Sequence, residues 1–363
     1  IILDKNIFLE KISLASRFTS QRLTAAQILQ GILIKSDKKE ISFYSSNLIQ
    51  YFYTKIKKET EKEFRFLIEP QKIIEFLSLF SSGEITIEIK ENKIIISQGK
   101  TKGTFPLLSS VDFPLPPEIK KIEQNLKTVE FFKSLSMVVF SAAKDEGRPA
   151  LAGVNFISNN ELTMVATDGF RLSLIKTKKQ IDHPPFIIPA NFLEEILKIA
   201  NKEEELGFQF IQDEKMVVFA FGQNKIYSRL IEGEFPPFEK VIPEKKETRV
   251  TLEKPELLRA IRLISIFARE QSNIVVFDFK KDRLFVRPKM ELKENLTEIE
   301  TKTEGKEQTV AFNYRFLIDF LNHVPEDQKN IIIDVLRPDA PVVFRIKEKP
   351  NFLHIIMPVR IQE

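Results

Sequence analysis

The alternation of apolar and polar residues predicts helices and strands in a regular order along the chain. Apolar residues at helical spacing form a first pattern that occurs three times, at 8–15, 131–143 and 257–268. A second helical pattern, which opens with Pro or Asn as the first turn of a helix favours, also occurs three times, at 70–77, 189–196 and 313–320. Period-two alternation predicts half-buried strands, among them 85–89, 93–97, 216–219 and 331–335.

The helical patterns recur at a nearly constant interval. Leu9, Phe132 and Leu258 hold the same place in the first pattern, and steps of 123 and 126 residues separate them. Phe113-Pro114 and Phe235-Pro236 are a further pair of markers, 122 residues apart. Because independent markers share one period, the sequence predicts three tandem α+β domains, each with two helices packed on antiparallel sheets. The predicted boundaries are 1–122, 123–246 and 247–363.

Composition indicates a globular protein with substantial cores. The chain has 363 residues, of which 43% are hydrophobic and 29% charged. No apolar run approaches the roughly 20 residues that a membrane span needs. The absence of cysteine excludes disulfides, thiolate metal sites and cysteine nucleophiles, and fits a reducing compartment. We therefore expect a cytoplasmic protein.

Net charge is only +4, and it is positive in the outer thirds of the chain and negative in the middle. The chain has no basic arm, so any contact with nucleic acid is expected from folded faces that carry Lys and Arg.

Residue types that carry catalysis are sparse. The three histidines, His183, His323 and His354, lack metal-ligand spacing. The acidic runs Asp145-Glu146 and Glu203-Glu204-Glu205 are typical of solvated surfaces. We therefore expect no catalytic residue, no metal and no cofactor.

The stretch from Met164 to Leu172 has an unusual composition, because a Thr-Asp-Gly turn follows a run of apolar residues. A structural hairpin corner is one interpretation. A docking edge is the other, and it is favoured because we find no equivalent sequence at the corresponding offset of repeats one and three. In that interpretation Asp168 holds the turn while its neighbours shape a groove.

Residues 166–172, preceded by 148–156 and followed by 232–243 and 355–360, closely resemble the β subunit of bacterial DNA polymerase III, the sliding-clamp family. The resemblance covers essentially the whole chain. It implies a homodimer closed into a ring around double-stranded DNA, which tethers the replicative polymerase without catalysis. Two alternatives are a peptide-binding scaffold that does not encircle DNA, and an enzyme that uses Asp168 and Arg171.

The resemblance also implies a groove for short peptides with a Gln and a Leu-x-Leu-Phe-like end, shared by polymerase, clamp loader and repair proteins. Its deep part maps onto Leu151, Thr167, Gly169, Arg171, Leu172, Pro236, Val241, Ile355, Met357 and Val359. Its shallower part maps onto Asn313, Phe316 and Val343. Phe170 and Lys240 stand where the family commonly has His and Arg, so we expect a different peptide preference.

Two further surfaces follow from the resemblance. Cations expected to face DNA are Lys11, Arg17, Arg22, Lys72, Lys133, Arg148, Lys198, Arg259 and Arg262. They would meet phosphates without regard to base sequence. The dimer contact maps onto Phe105, Ile266 and Phe267.

Overall fold

The fold is known from a computed structural model that describes residues 1–22, 24–119, 121–145, 147–270, 272–289 and 295–360. The α-helices of the described residues are α1 Lys5–Ser16, α2 Gln27–Gln30, α3 Pro70–Ser78, α4 Thr128–Val139, α5 Ala190–Ile199, α6 Lys254–Ala268 and α7 Tyr314–His323. Short 3₁₀ segments span Pro149–Leu151 and Phe238–Val241. No described helix has the length and apolar character needed to cross a membrane.

The strands of the described residues pair antiparallel throughout. In chain order they are β1 Ile2–Asp4, β2 Ile32–Ser36, β3 Glu40–Ser46, β4 Gln50–Lys57, β5 Phe64–Ile68, β6 Glu84–Lys90, β7 Lys93–Gln98, β8 Thr101–Leu108, β9 Gln124–Lys127, β10 Gly153–Ser158, β11 Glu161–Thr167, β12 Arg171–Lys178, β13 Phe186–Pro189, β14 Glu205–Ile211, β15 Met216–Phe221, β16 Asn224–Arg229, β17 Thr248–Glu253, β18 Ile274–Lys280, β19 Arg283–Pro288, β20 Thr297–Glu300, β21 Lys302–Gly305, β22 Gln308–Asn313, β23 Asn330–Val335, β24 Val342–Ile346 and β25 Lys349–Ile356.

Three copies of one topology follow one another, as the periodic markers predict. In each copy a strand leads into a long helix, four strands, a second helix and three strands, and the third copy has one more strand, β21, before its second helix. The four-strand groups are ordered β5-β2-β3-β4, β13-β10-β11-β12 and β22-β18-β19-β20. The remaining strands are ordered β1-β6-β7-β8, β9-β14-β15-β16 and β21-β17-β23-β24-β25. The expectation of repeated α+β domains is confirmed.

Two compact units hold these copies, and the central copy contributes to both. One unit comprises residues 1–128 and 198–230, and its strands form a single 12-stranded sheet. The other comprises residues 129–197 and 231–363, with sheets of nine and four strands. Pairing of β4 with β16 and of β12 with β25 continues each large sheet from one copy to the next. The exact boundaries at 122 and 246 stay predictions.

Helix α4 ends earlier than the sequence pattern predicts. The apolar periodicity runs to Ala143, yet the helix stops at Val139. Beyond it Ser141 and Ala142 make the tighter i→i+3 bonds, and the N–H of Ala143 donates to Leu151. The carbonyl of Phe140 accepts from the guanidinium of a distant arginine at 3.0 Å. The apolar residues after Val139 are therefore buried without being helical.

The turn between β11 and β12 is held by side chains. The carboxylate of Asp168 accepts from the backbone N–H groups of Phe170 and Arg171, at 2.9 and 3.0 Å. The hydroxyl of Thr167 accepts from the N–H of Gly169 at 3.0 Å. Gly169 has φ +90°, a conformation that strains residues with a side chain. The prediction that Asp168 stabilises the turn is confirmed.

The same turn recurs in the first copy, between β3 and β4, which corrects our expectation that it has no equivalent there. Asn47 takes the place of the aspartate and accepts from Ile49 and Gln50, at 3.1 and 2.7 Å. The hydroxyl of Ser46 accepts from Leu48 at 2.9 Å, and Leu48 has φ +73°. A turn that recurs with the fold is a fold feature, so any special role in the second copy depends on its side chains.

Candidate functional site

An apolar groove lies beside the β11–β12 turn. Its cavity has a volume of about 350 Å³ and is lined by Arg148, Leu151, Thr167, Gly169, Phe170, Arg171, Leu172, Pro236, Pro237, Phe238, Val241, Ile355 and Met357. The lining is mostly apolar and aromatic, as in sites that bind small molecules or peptide side chains. Ten of the fifteen residues predicted for the groove are brought together here.

Behind the groove lies a packed hydrophobic cluster. It contains Val165, Leu172, Leu174, Phe238, Val343, Leu353 and Ile355. Leu172 and Ile355 are register partners on β12 and β25, so a strand pair supplies the floor. Phe235 packs against the same cluster, and the equivalent marker Phe113 packs on Leu33 and Leu67 in the other unit.

Arg171 is a buried cation in the groove wall. Its Nε donates to Asp168 at 3.0 Å, its Nη1 to Asp319 at 2.7 Å, and its Nη2 to the carbonyl of Phe140. The guanidinium carbon lies 5.5 Å from the ring centroid of Phe140 and 4.9 Å from that of Phe316. Two carboxylates and two aromatic faces therefore stabilise one buried cation.

An aromatic pair borders the groove on the side of α7. The rings of Phe170 and Phe316 stack with their centroids 6.4 Å apart and an interplanar angle of 18°. Phe170 is exposed, whereas Phe316 is half-buried and also contacts Arg171. This pair offers an apolar shelf next to the deeper cavity.

Five predicted groove residues do not line the cavity. Val343 is buried in the cluster behind it, and Val359 packs on Ile274, Val276 and Ala311. Asn313 caps α7 by accepting from Arg315 at 3.0 Å. Lys240 is exposed on the second 3₁₀ segment. Phe316 stacks on Phe170, which does line the cavity.

Three residues of the lining were missed by sequence reasoning. Pro237 and Phe238 directly follow Pro236, which was predicted to line the groove. Their position next to Pro236 was the signal in the sequence that could have identified them. Arg148 was assigned to DNA, yet it lines the groove and its Nη2 donates to the carbonyl of Asp168 at 2.8 Å. Its approach to the turn is close, because a Cβ added to Gly169 would lie 2.7 Å from its Nη1.

The other cations predicted to face DNA lie on helices or next to them. Arg17, Arg22, Lys72, Lys133, Lys198, Arg259 and Arg262 are exposed, and Lys11 is half-buried with its Nζ 3.1 Å from Glu10. Of the residues predicted for a dimer contact, Ile266 and Phe267 are 61% and 43% exposed on α6. Phe105 is half-buried, and its ring lies 5.4 Å from that of Phe76.

The three histidines lie apart from the cavity lining. Burial lowers the pKa of His354 well below its ordinary value, and the nearby charge of Arg171 acts in the same direction. Its Nδ1 lies 2.8 Å from the hydroxyl of Ser173. Burial also lowers the pKa of His183. In the described part of the chain, no group of three or more His, Asp or Glu could hold a metal ion.

Comparison with known proteins matches each of the three repeats to a domain of one protein family. Residues 1–117 match the N-terminal domain, 125–237 the central domain and 239–360 the C-terminal domain of the DNA polymerase III beta subunit. The chain belongs to the DNA polymerase III beta subunit family.

Named relatives extend over nearly the full length. The chain is 27% identical to the beta sliding clamp of Bacillus subtilis over 384 residues, covering 99% of this chain and 98% of that protein. The crystal structure of the Bacillus subtilis sliding clamp superposes with a TM-score of 0.91 at 24% identity, covering 99% of both chains. The beta subunit of Thermotoga maritima superposes with a TM-score of 0.90 at 22% identity, covering 100% of this chain and 99% of that one.

Proposed function

We propose that this protein is a DNA sliding clamp, a processivity factor that encircles duplex DNA and tethers the replicative polymerase. The observation that carries the proposal is the unbroken succession of the three family domains along the chain. A ring linked to DNA by topology needs no catalytic step, so the protein acts as a non-enzymatic tether. Its cations meet phosphates rather than bases, because base readout would stop the ring from sliding.

The groove is the proposed docking site for polymerase, clamp loader and repair proteins. A cavity of about 350 Å³ with an apolar lining suits Leu and Phe side chains, and Met357 adds an adaptable wall. The exposed guanidinium of Arg148 would orient the peptide backbone at the rim. The expected ligand is a short linear motif with a Gln and a Leu-Phe-containing end.

The ring is proposed to form from two copies of the chain arranged head to tail. The exposed Ile266 and Phe267 on α6 are the apolar residues that one copy would present, and Phe105 belongs to the surface that the other would present. Burial of large apolar side chains is the usual driving force of such an obligate contact.

Retention on DNA tests the proposal. The protein is loaded with its clamp loader onto nicked circular DNA, and half of the sample is then linearised. A ring is retained on the circle and slides off the free ends. Rapid loss from both forms would instead favour a peptide-binding scaffold that does not encircle DNA.

A further inference from the structure

Asp319 is outside the cavity lining, yet it is tied to the groove through Arg171. It lies on α7, three residues after Phe316, and its carboxylate accepts from Nη1 of Arg171 at 2.7 Å. Its side chain is 48% exposed, whereas that of Arg171 is buried. A half-exposed carboxylate thus holds one end of a buried cation.

Arg171 is bound from two directions. Asp168, from the same hairpin, binds Nε at 3.0 Å and fixes the arginine relative to β12. Asp319 binds Nη1 and ties the same guanidinium to α7. The planar guanidinium presents its donors in a rigid fork, so its two carboxylate partners together determine its orientation.

The orientation of Arg171 matters for the shallow half of the groove. Phe316 places its ring over the guanidinium at 4.9 Å and stacks with Phe170 on the hairpin. Because Phe316 and Asp319 are i,i+3 neighbours, the ring contact and the ion pair act on the same turn of α7. Both contacts therefore set the separation between α7 and the hairpin.

We infer that Asp319 is a positioning residue: it orients Arg171 so that Phe316 and Phe170 form a fixed shelf for the part of a peptide that extends beyond the deep cavity. This inference rests on the proposed function, because it assigns a role to a second part of the same groove. It predicts that Asp319 discriminates between long and short ligands, which a residue that acts on overall stability would not do.

The test compares Asp319→Asn with a matched control, Asp327→Asn. Asp327 is also an exposed aspartate of this unit, and it pairs with Lys133 at 3.4 Å. Two synthetic peptides are titrated by fluorescence anisotropy: a long one with the Gln and the Leu-x-Leu-Phe end, and a short one with the Leu-Phe end alone. Wild-type protein is expected to bind both.

Asp319→Asn is expected to weaken the long peptide by roughly tenfold, because the buried cation loses the negative charge of one of its two partners. The short peptide should be weakened by less than about twofold, because Asp168 still holds Nε of Arg171 in the wall of the deep cavity. Asp319→Glu should recover most of the affinity for the long peptide, and Asp327→Asn should bind both peptides as wild type does.

An Asp319→Asn protein that binds the long peptide as wild type does would overturn the inference and leave the groove intact. Equal weakening of both peptides would also overturn it, since that indicates a general structural role. Wild-type protein that binds neither peptide would instead remove the proposed groove, and the inference with it.

Discussion

The backbone N–H of Met357 donates a hydrogen bond of 2.8 Å to the carbonyl oxygen of Phe170. This bond continues the pairing of β25 with β12 past the last strand residue, and it brings the end of β25 to the tip of the hairpin. The side chain of Met357 consequently lies in the groove wall, at the boundary between cavity and solvent. A flexible thioether at that place is suited to more than one apolar ligand.

The first prediction concerns this wall. Met357→Ala together with Leu172→Ala should weaken a Leu-Phe peptide by about 2 kcal/mol, the size expected for interface anchors. Met357→Ala alone should leave the melting temperature nearly unchanged, whereas Leu172 is buried and its truncation should also destabilise the fold. Leu296→Ala, at an exposed leucine of the same unit, is the control for anisotropy titrations. Unchanged binding in the double variant would remove the pocket assignment.

The second prediction concerns Gly169. Gly169→Ala should cost about 1 kcal/mol of unfolding free energy, because its φ of +90° disfavours a side chain. It should also weaken the peptide, since the new Cβ meets the guanidinium of Arg148. Gly233→Ala is the matched control: its φ is +114°, and an added Cβ there meets no described atom within 4 Å. Denaturant unfolding should report similar losses for both, while peptide affinity should fall only in Gly169→Ala.

The third prediction separates the two roles considered for Arg148. Arg148→Ala should weaken peptide binding by about 1 kcal/mol, because the turn loses the hydrogen bond to the carbonyl of Asp168. The residence time of the Arg148→Ala protein on circular DNA should stay close to that of wild type. Lys72→Ala, at an exposed lysine on α3, serves as the comparison. Faster loss from DNA combined with normal peptide binding would restore the original assignment of Arg148 to DNA.

The fourth prediction concerns assembly. Light scattering at micromolar concentration should give twice the 42.2 kDa of one chain. Replacing Ile266 and Phe267 together by Ser should shift the mass to that of one chain, because both apolar side chains are exposed on α6. A wild-type protein that stays a single chain at this concentration would contradict the closed dimeric ring.

The fifth prediction concerns pH. Burial lowers the pKa of His354 in the folded state, so below its ordinary value of about 6.5 the unfolded chain binds a proton that the folded chain does not. Stability should therefore fall as pH drops below about 6.5, by up to about 1.4 kcal/mol per pH unit for this histidine. His183 acts in the same direction.

His354→Gln should flatten the pH dependence of the melting temperature between pH 7.5 and 5.5. His183→Gln should remove only the contribution of His183 to this pH dependence. The double variant His183→Gln, His354→Gln is therefore expected to flatten the curve further. Parallel curves for wild type and His354→Gln would show that the buried imidazole does not contribute.

Sequence periodicity was sufficient for the repeated architecture, because each helix and strand buries one face and so imposes a spacing on its apolar residues. The recurrence of the turn could not be found in this way. Asn47 and Asp168 each follow a hydroxyl residue, Ser46 and Thr167, but the residues after them differ in type. The equivalence of the two turns becomes plain from their matching hydrogen bonds.

The electrostatic partners of Arg171 were likewise beyond the sequence. Asp319 is 148 residues away, and no local pattern joins the two. The contacts of Val359 were beyond the sequence for a related reason: its N–H donates to the carbonyl of Ala311 at 2.8 Å, and its side chain packs on residues of β18 and β22. Contacts between residues so far apart in the sequence form only when the sheets have assembled.

The same hydrogen-bonded turn occurs in the first and second copies, and the side chains around it differ. In the second copy the turn is followed by Leu172, whose register partner is Ile355, and both residues line the cavity. In the first copy the register partners at the same place are Tyr51 and Tyr227, which pack with Met216 and Val218 into a closed cluster. In the proposed function, recognition would depend on a few side chains carried by a backbone turn that occurs twice. Substitution of those side chains would then alter the preferred ligand while the hydrogen bonds of the turn stay the same.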